Sequence, residues 1–334
     1  MKKLAFLALG LVALAGAAAL FLQQRLATPY RGFSDPEVFV DLPTGTGVAA
    51  IADRLAAAGV VPDALTFRLA ARLSGSDRKL QAGEYRFADA ATPRDVVARL
   101  AAGDVYSRSV TFPEGLTIRE MAVLFERAGL GTAADFVAAS RTSGLVPAVD
   151  PTARSLEGYL FPDTYALPRK IGAEGAVRAM LARFDATFTA DLRASAEAQQ
   201  FTPREVVTLA SLIEKETARP EERPVVAAVY RNRLKIGMLL QCDPTVIYAL
   251  MLANRWNGNI RRDDLQINSP YNTYRFAGLP PGPIASPGRA SIEAALAPAD
   301  VPYLYFVSRN DGSHVFASTL AEHNRNVAKY QRGR

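Results

Sequence analysis

Most of this chain repeats its apolar positions at helical spacing. The first segment does not: residues 4–22 carry no charged or polar side chain at all. As a helix rising 1.5 Å per residue, that run reaches about 28 Å, close to the hydrocarbon thickness of a bilayer. Next, residues 38–42 alternate as a strand does. Residues 48–58 are helical, with Ile51 and Leu55 on one face and Gly59 placed to stop them. A second helix spans 66–73. Residues 83–87 form a short strand with Tyr85 and Phe87 on one side. Thr92-Pro93 opens a third helix, ended by Gly103. Strand, helix, helix, strand and helix make a small module without a cluster of catalytic residue types.

The rest of the chain is longer and mostly helical. A strand over 107–112 precedes a helix capped by Thr117, and a short helix covers 132–140. Residues 156–165 form a loop dense in aromatics and acids, which suits either a sugar site or a buried aromatic turn. One long amphipathic helix is expected over 175–200. Helices follow at 202–217, 225–236 and 246–253. Residues 278–288, rich in Pro and Gly, make a rigid loop suited to the wall of a groove. A short helix at 291–296 leads to a hairpin of 303–308 with 314–316, turned through Asn310-Asp311-Gly312. The tail from 319 is helical. The class is α+β.

The helix at 202–217 carries the most specific local signal. Thr202 is an N-cap, Pro203 suits the first helical position, and Glu205 is spaced to close a capping box. Val206, Leu209, Leu212 and Ile213 form its apolar stripe. Glu214 and Glu216 end it. Two residues apart on a helix is about 200° of rotation, so the two carboxyls face different ways. Glu216 falls between the directions of Leu209 and Leu212, inside the buried arc; Glu214 lies at the margin, near Val207. A carboxyl on an apolar face loses hydration and its pKa rises, which suits general acid catalysis. The bland reading is a pair of helix-end glutamates, one in water and one paired with an arginine.

Composition narrows the classes. A length of 334 residues allows two domains, and a net charge of +6 is too small and scattered to argue for nucleic acid. With a single cysteine, Cys242, no internal disulfide forms. Lys2 and Lys3 ahead of the apolar run keep that end in the cytoplasm and the body outside. A cleaved signal peptide competes, on the small residues 15–19, but the run continues through Leu20, Phe21 and Leu22. Residues 26–36 read as a tether. No zinc motif and no Gly-x-Ser-x-Gly elbow occurs, no cofactor is called for, and the two histidines, His314 and His323, read as structural.

Several motifs in order resemble the YceG-like endolytic murein transglycosylases. They are residues 209–217 (LASLIEKET), Asn232-Arg233-Leu234, 240–248 (LQCDPTVIY), Tyr271-Asn272-Thr273-Tyr274, 278–284 (GLPPGPI) and 303–307 (YLYFV). The likeness covers nearly the whole chain. It implies an anchor at 1–25, a linker at 26–36, a LysM-like module at 37–104 and a mixed α/β catalytic domain at 105–334. It also implies lytic cleavage of peptidoglycan glycan strands between MurNAc and GlcNAc. The partners would be those strands, the inner membrane and the peptidoglycan synthases beside it. Glu216 matches the family's catalytic glutamate, and Glu157, Asp163, Gln241, Asp243, Tyr271 and Asn272 are expected to line or support the groove. Cys242 stands where the family usually has Ser or Thr, an exchange expected to change little. Three rivals stay open: a glycan hydrolase using Asp163 or Asp243 as base, a non-catalytic wall-binding scaffold, and a carbohydrate-independent membrane-tethered interaction domain.

Overall fold

The structure, a computed structural model, describes residues 2–141, 145 and 147–331; the side chains of 2–8, 11, 12 and 15 fall outside that description. The chain divides into two compact units, residues 1–108 and 109–334.

The first unit contains α1 (Lys2–Ala27), β1 (Val38–Leu42), α2 (Val48–Ala57), α3 (Ala64–Leu73), β2 (Gly83–Phe87) and α4 (Pro93–Ala102). β1 and β2 pair antiparallel, with Val40 opposite Tyr85. Alternation sends Val40, Leu42, Tyr85 and Phe87 into a core completed by Ile51, Leu55, Phe67, Val97 and Leu100. Thr92 and Asp95 close a capping box on α4, and Gly103 ends it with φ 69°.

The stretch expected to be a tether is instead held down. Leu26 is buried in the module core, with Leu22 packed beside it. Arg25 donates to the Thr66 hydroxyl at 3.0 Å and pairs with Asp63, the N-cap of α3. Tyr30 and Ala91 exchange backbone hydrogen bonds. A polar count hid this, because one leucine and one arginine on the right face of a helix suffice to dock it. Among the described residues no helix is long and apolar enough to cross a membrane.

The second unit contains β3 (Ser107–Thr111, which leads the chain into it), α5 (Ile118–Arg127), α6 (Ala133–Ala139), β4 (Thr164–Pro168), α7 (Gly172–Thr187), α8 (Ala190–Ala198), α9 (Pro203–Glu216), α10 (Arg223–Lys235), α11 (Asp243–Leu252), α12 (Arg289–Leu296), β5 (Tyr305–Ser308), β6 (His314–Ala317) and α13 (Leu320–Gln331). β3 pairs with β4, and β5 pairs antiparallel with β6. β4 begins at Thr164, inside the end of the segment 156–165 expected to be loop, and runs past it. The helix expected over 175–200 is two, because fully buried Phe188 leaves helical geometry and Thr189 caps α8.

α9 is the axis of this unit. Its capping box forms as the sequence requires: Thr202 accepts from the Glu205 backbone, and Glu205 accepts from the Thr202 backbone at 2.8 Å. Every residue from Val206 to Ile213 is buried. Each fully buried Val, Leu or Ile side chain contributes about 1.5–3 kcal/mol. Helices α8, α10, α11 and α12 pack around α9. The small residues on it serve as docking points. Ser211, fully buried, accepts from the Ile284 backbone at 3.1 Å and so fixes the Pro-Gly loop onto the helix.

Candidate active site

The two glutamates at the end of α9 have separate fates. Glu214 faces the start of α12, where it accepts from the Gly288 N–H at 3.0 Å and the Ser291 hydroxyl at 2.8 Å. Arg223 lies 3.5 Å from its other oxygen. The free N–H groups of a helix start and a guanidinium beside them give this carboxyl hydrogen-bond and charge partners from two other helices. Glu214 therefore fastens α9, α10 and α12 together, and the arginine-paired half of the bland reading describes it.

Glu216 points the other way, into a cleft of about 250 Å³. The Tyr230 hydroxyl of α10 donates to it at 2.6 Å, and the Cys242 thiol adjoins it. Its pKa is raised, first by burial and further by the nearby Asp243 charge; the Tyr230 and Cys242 hydrogen bonds and His314 oppose the rise without cancelling it. Burial pushes the Cys242 thiol and the Tyr230 phenol far up, so both stay protonated. Cys242 is thus more than a small neutral filler: it borders the acid itself.

Gln241 and Asp243 line the same cleft. Gln241 has φ 50°, an uncommon backbone state for a non-glycine residue, held by its N–H to the Thr273 carbonyl at 3.1 Å. Such strain costs about 1–3 kcal/mol and is concentrated at functional sites. Here it turns an exposed amide onto the cleft wall. Asp243 begins α11 and accepts from the Tyr274 hydroxyl. Buried Asn272 donates to the Leu265 and Ile267 carbonyls, both at 2.9 Å, and accepts from the Tyr274 backbone at 3.0 Å. It supports the cleft by setting Tyr274 and does not itself line it.

Glu157 and Tyr271 occupy a second locus. Buried Glu157 accepts from the Ile118 N–H at 2.9 Å and the Tyr248 hydroxyl at 3.2 Å, which ties the start of α5 to α11. Burial pushes its pKa up to about 7. A cavity of about 400 Å³ beside it is lined by Tyr271, Arg204 and the Pro281–Pro283 loop. Tyr271 packs on Tyr248, ring centroids 4.9 Å apart. Gly158 follows with φ 84°, and Pro283 and Val207 leave no room there for a side chain. Asp163 lines neither site. It pairs with Arg183 at 2.7 Å and accepts from the Thr164 N–H at 2.7 Å, fastening the entry to β4. The six residues expected around one groove are divided, because residues 156–165 feed a strand and the α5 start.

Tyr230, Arg233, Leu240, Tyr274, Phe306 and His323 belong to the Glu216 cleft or its walls but were not among the expected site residues, although all but Tyr230 and His323 sit in the motifs quoted above. Arg233 sits in the Asn-Arg-Leu motif. It donates to the Leu304 carbonyl at 2.6 Å, Leu240 at 2.7 Å and Leu239 at 3.3 Å, binding β5 to the segment before α11. His323 reaches the cleft from α13 by tertiary packing alone. Glu222 takes the His314 ring nitrogen at 2.7 Å, the His314 N–H at 2.9 Å and the Thr217 hydroxyl at 3.0 Å, which pins the chain just after Glu216. Among the described residues no His, Cys, Asp and Glu group could hold a metal ion.

A mixed α and β protein with a buried acid at the end of a central helix, in a cleft lined with polar and aromatic groups, has the makings of a glycan-cleaving enzyme. The chain belongs to the YceG-like family, whose model matches residues 40–329. It is 31% identical over 329 residues to the endolytic murein transglycosylase of Bacillus subtilis (strain 168), covering 91% of this chain and 88% of that one. It is also 31% identical over 332 residues to the endolytic murein transglycosylase of Streptococcus pneumoniae D39, covering 90% of this chain and 60% of that longer protein. The crystal structure of a YceG-like protein from Listeria monocytogenes is similar, with a TM-score of 0.59 and 30% identity, over 87% of this chain and 99% of that one.

Proposed function

We propose that this protein is an endolytic murein transglycosylase, a lyase that cuts peptidoglycan glycan strands, and that Glu216 is its acid. The observation that carries the reading is the state of Glu216: partly accessible in a polar cleft, yet with its pKa raised by burial. One carboxyl then does two jobs. Protonated Glu216 gives its proton to the glycosidic oxygen as the MurNAc C1–O bond breaks. The carboxylate left behind takes the proton of the MurNAc C6 hydroxyl, whose oxygen bonds to C1. The products are a 1,6-anhydro-MurNAc end and a GlcNAc 4-hydroxyl, with no water consumed. A hydrolase would need a second free base. Asp163 is paired with Arg183 and Asp243 is held by Tyr274, which supports the one-carboxyl route. Gln241 and Asp243 are assigned to the substrate, with Asn272 behind them; Glu157 and Tyr271 flank a second stretch of the strand.

The remaining architecture is proposed on the same footing. The uncharged run 4–22, behind Lys2 and Lys3, anchors the chain once in the inner membrane with its body outside. Residues 37–104 form the LysM-like module and 105–334 the catalytic domain. Cutting close to the membrane would end nascent strands beside the synthases.

The test is mass spectrometry of fragments from intact glycan strands, using the full-length protein with Glu216→Gln and Glu214→Gln alongside. Internal cuts with anhydro ends, lost at least 1,000-fold in Glu216→Gln alone, are the expected outcome, at the scale of removing an essential proton-transfer group (about 10³). Hydrated ends would replace the lyase with a hydrolase. Normal cutting by Glu216→Gln would remove the catalytic assignment.

A further inference from the structure

The cleft that holds Glu216 is closed on one side by His323, carried on α13. The imidazole stacks on Tyr305, with ring centroids 5.2 Å apart and planes inclined by 25°. Its Nδ1 is buried, with no hydrogen-bond partner among the described residues. Burial and then the charge of Arg233 hold its pKa below the ordinary 6.5, so the ring is neutral at neutral pH. A neutral imidazole carries one proton. On Nδ1 that proton would make a buried N–H with nothing to accept it, a rarer and costlier defect than a bare lone pair. The proton therefore belongs on Nε2.

We propose that His323 is a substrate-binding residue, its Nε2–H donating to the acetamido carbonyl of a sugar seated beside Glu216. This rests on the glycan-cleaving reading and names a contact within it. Three features select that acceptor. Arg233 puts positive charge near the ring, which favours an oxygen over an ammonium. The Nε and one NH group of Arg233 are committed to backbone carbonyls, which fixes the guanidinium and its charge beside the ring. Phe306 in the same wall gives the methyl of an acetamide an apolar surface. An amide carbonyl is a strong uncharged acceptor, and each N-acetylated sugar of the strand carries one.

The experiment measures binding by calorimetry in a full-length Glu216→Gln background, which leaves the strands uncut, using purified N-acetylated glycan strands. His323→Phe keeps the stacking ring and removes the donor; His323→Gln returns an N–H near the Nε2 position. The expected result is binding about tenfold weaker with Phe, the scale of one hydrogen bond, and most of that recovered with Gln. On chemically de-N-acetylated strands the difference between His and Phe should shrink to within about twofold. In the cutting-competent protein, His323→Phe should raise KM and leave kcat nearly unchanged. Equal binding by His323 and His323→Phe overturns the inference, as does a loss that Gln fails to recover or that persists on de-N-acetylated strands. Wild-type cutting is assayed in parallel: failure to cut sinks the lyase reading, whereas cutting with equal binding sinks only the role of His323.

Discussion

Glu157→Gln distinguishes Glu157 from Glu216, two acids whose pKa burial raises, by its effect on stability. Glu157 is buried between the Ile118 N–H and the Tyr248 hydroxyl, and burial raises its pKa from 4.5 to about 7. A carboxyl raised on folding contributes its full stability below pH 4.5 and loses it as pH rises through 7. At about 1.4 kcal/mol per pH unit, ionisation costs the fold about 3 kcal/mol once pH exceeds that range. Glutamine fills the same space and never ionises. Stability measured by urea denaturation should therefore move in favour of Glu157→Gln by about 2–3 kcal/mol between pH 5 and pH 8. The gain is concentrated below pH 7 and flattens above it. Parallel stability profiles for the two proteins would refute the argument. With strands at saturation the same variant should keep its kcat per folded molecule, because Glu157 takes no part in the proton transfers. Loss of cutting in Glu157→Gln but not in Glu216→Gln would move the catalytic acid to Glu157.

Two other variants test the neighbourhood of Glu216. Tyr230→Phe removes the hydrogen bond that opposes the effect of burial on Glu216, so the Glu216 pKa should rise further and the alkaline limb of the rate profile should shift to higher pH; an unmoved or lowered limb refutes this. Glu214→Ala strands the Gly288 N–H and the Ser291 hydroxyl and removes one of the two carboxylates beside Arg223, the other being Glu114. It should cost about 2–4 kcal/mol in denaturant titration and leave the rate per folded molecule intact.

The local parts of this molecule were written in consecutive residues. Thr202, Pro203 and Glu205 start α9, and Thr92 with Asp95 starts α4, because capping joins groups three positions apart and needs no distant partner. The separation of Glu214 from Glu216 followed from helix geometry alone, as did the inward direction of Glu216. Tertiary structure decided what those directions meant. Glu214 became a structural tie only because the start of α12, 74 residues later, lies against it. Glu216 has a raised pKa because packing buries it and the start of α11 brings the Asp243 charge near, against the hydrogen bonds of Tyr230 and Cys242. The break at Phe188 and the docking of Leu26 escaped sequence reasoning for a related reason, since each depends on a core that forms from elsewhere. His323 is the extreme case: its surroundings are Tyr305, Arg233 and the α9 end, and no spacing along α13 foretells them. Helix periodicity and caps are short-range steric and hydrogen-bonding preferences. A site built from four helices and a hairpin depends on long-range packing, which settles both the company and the protonation of its side chains.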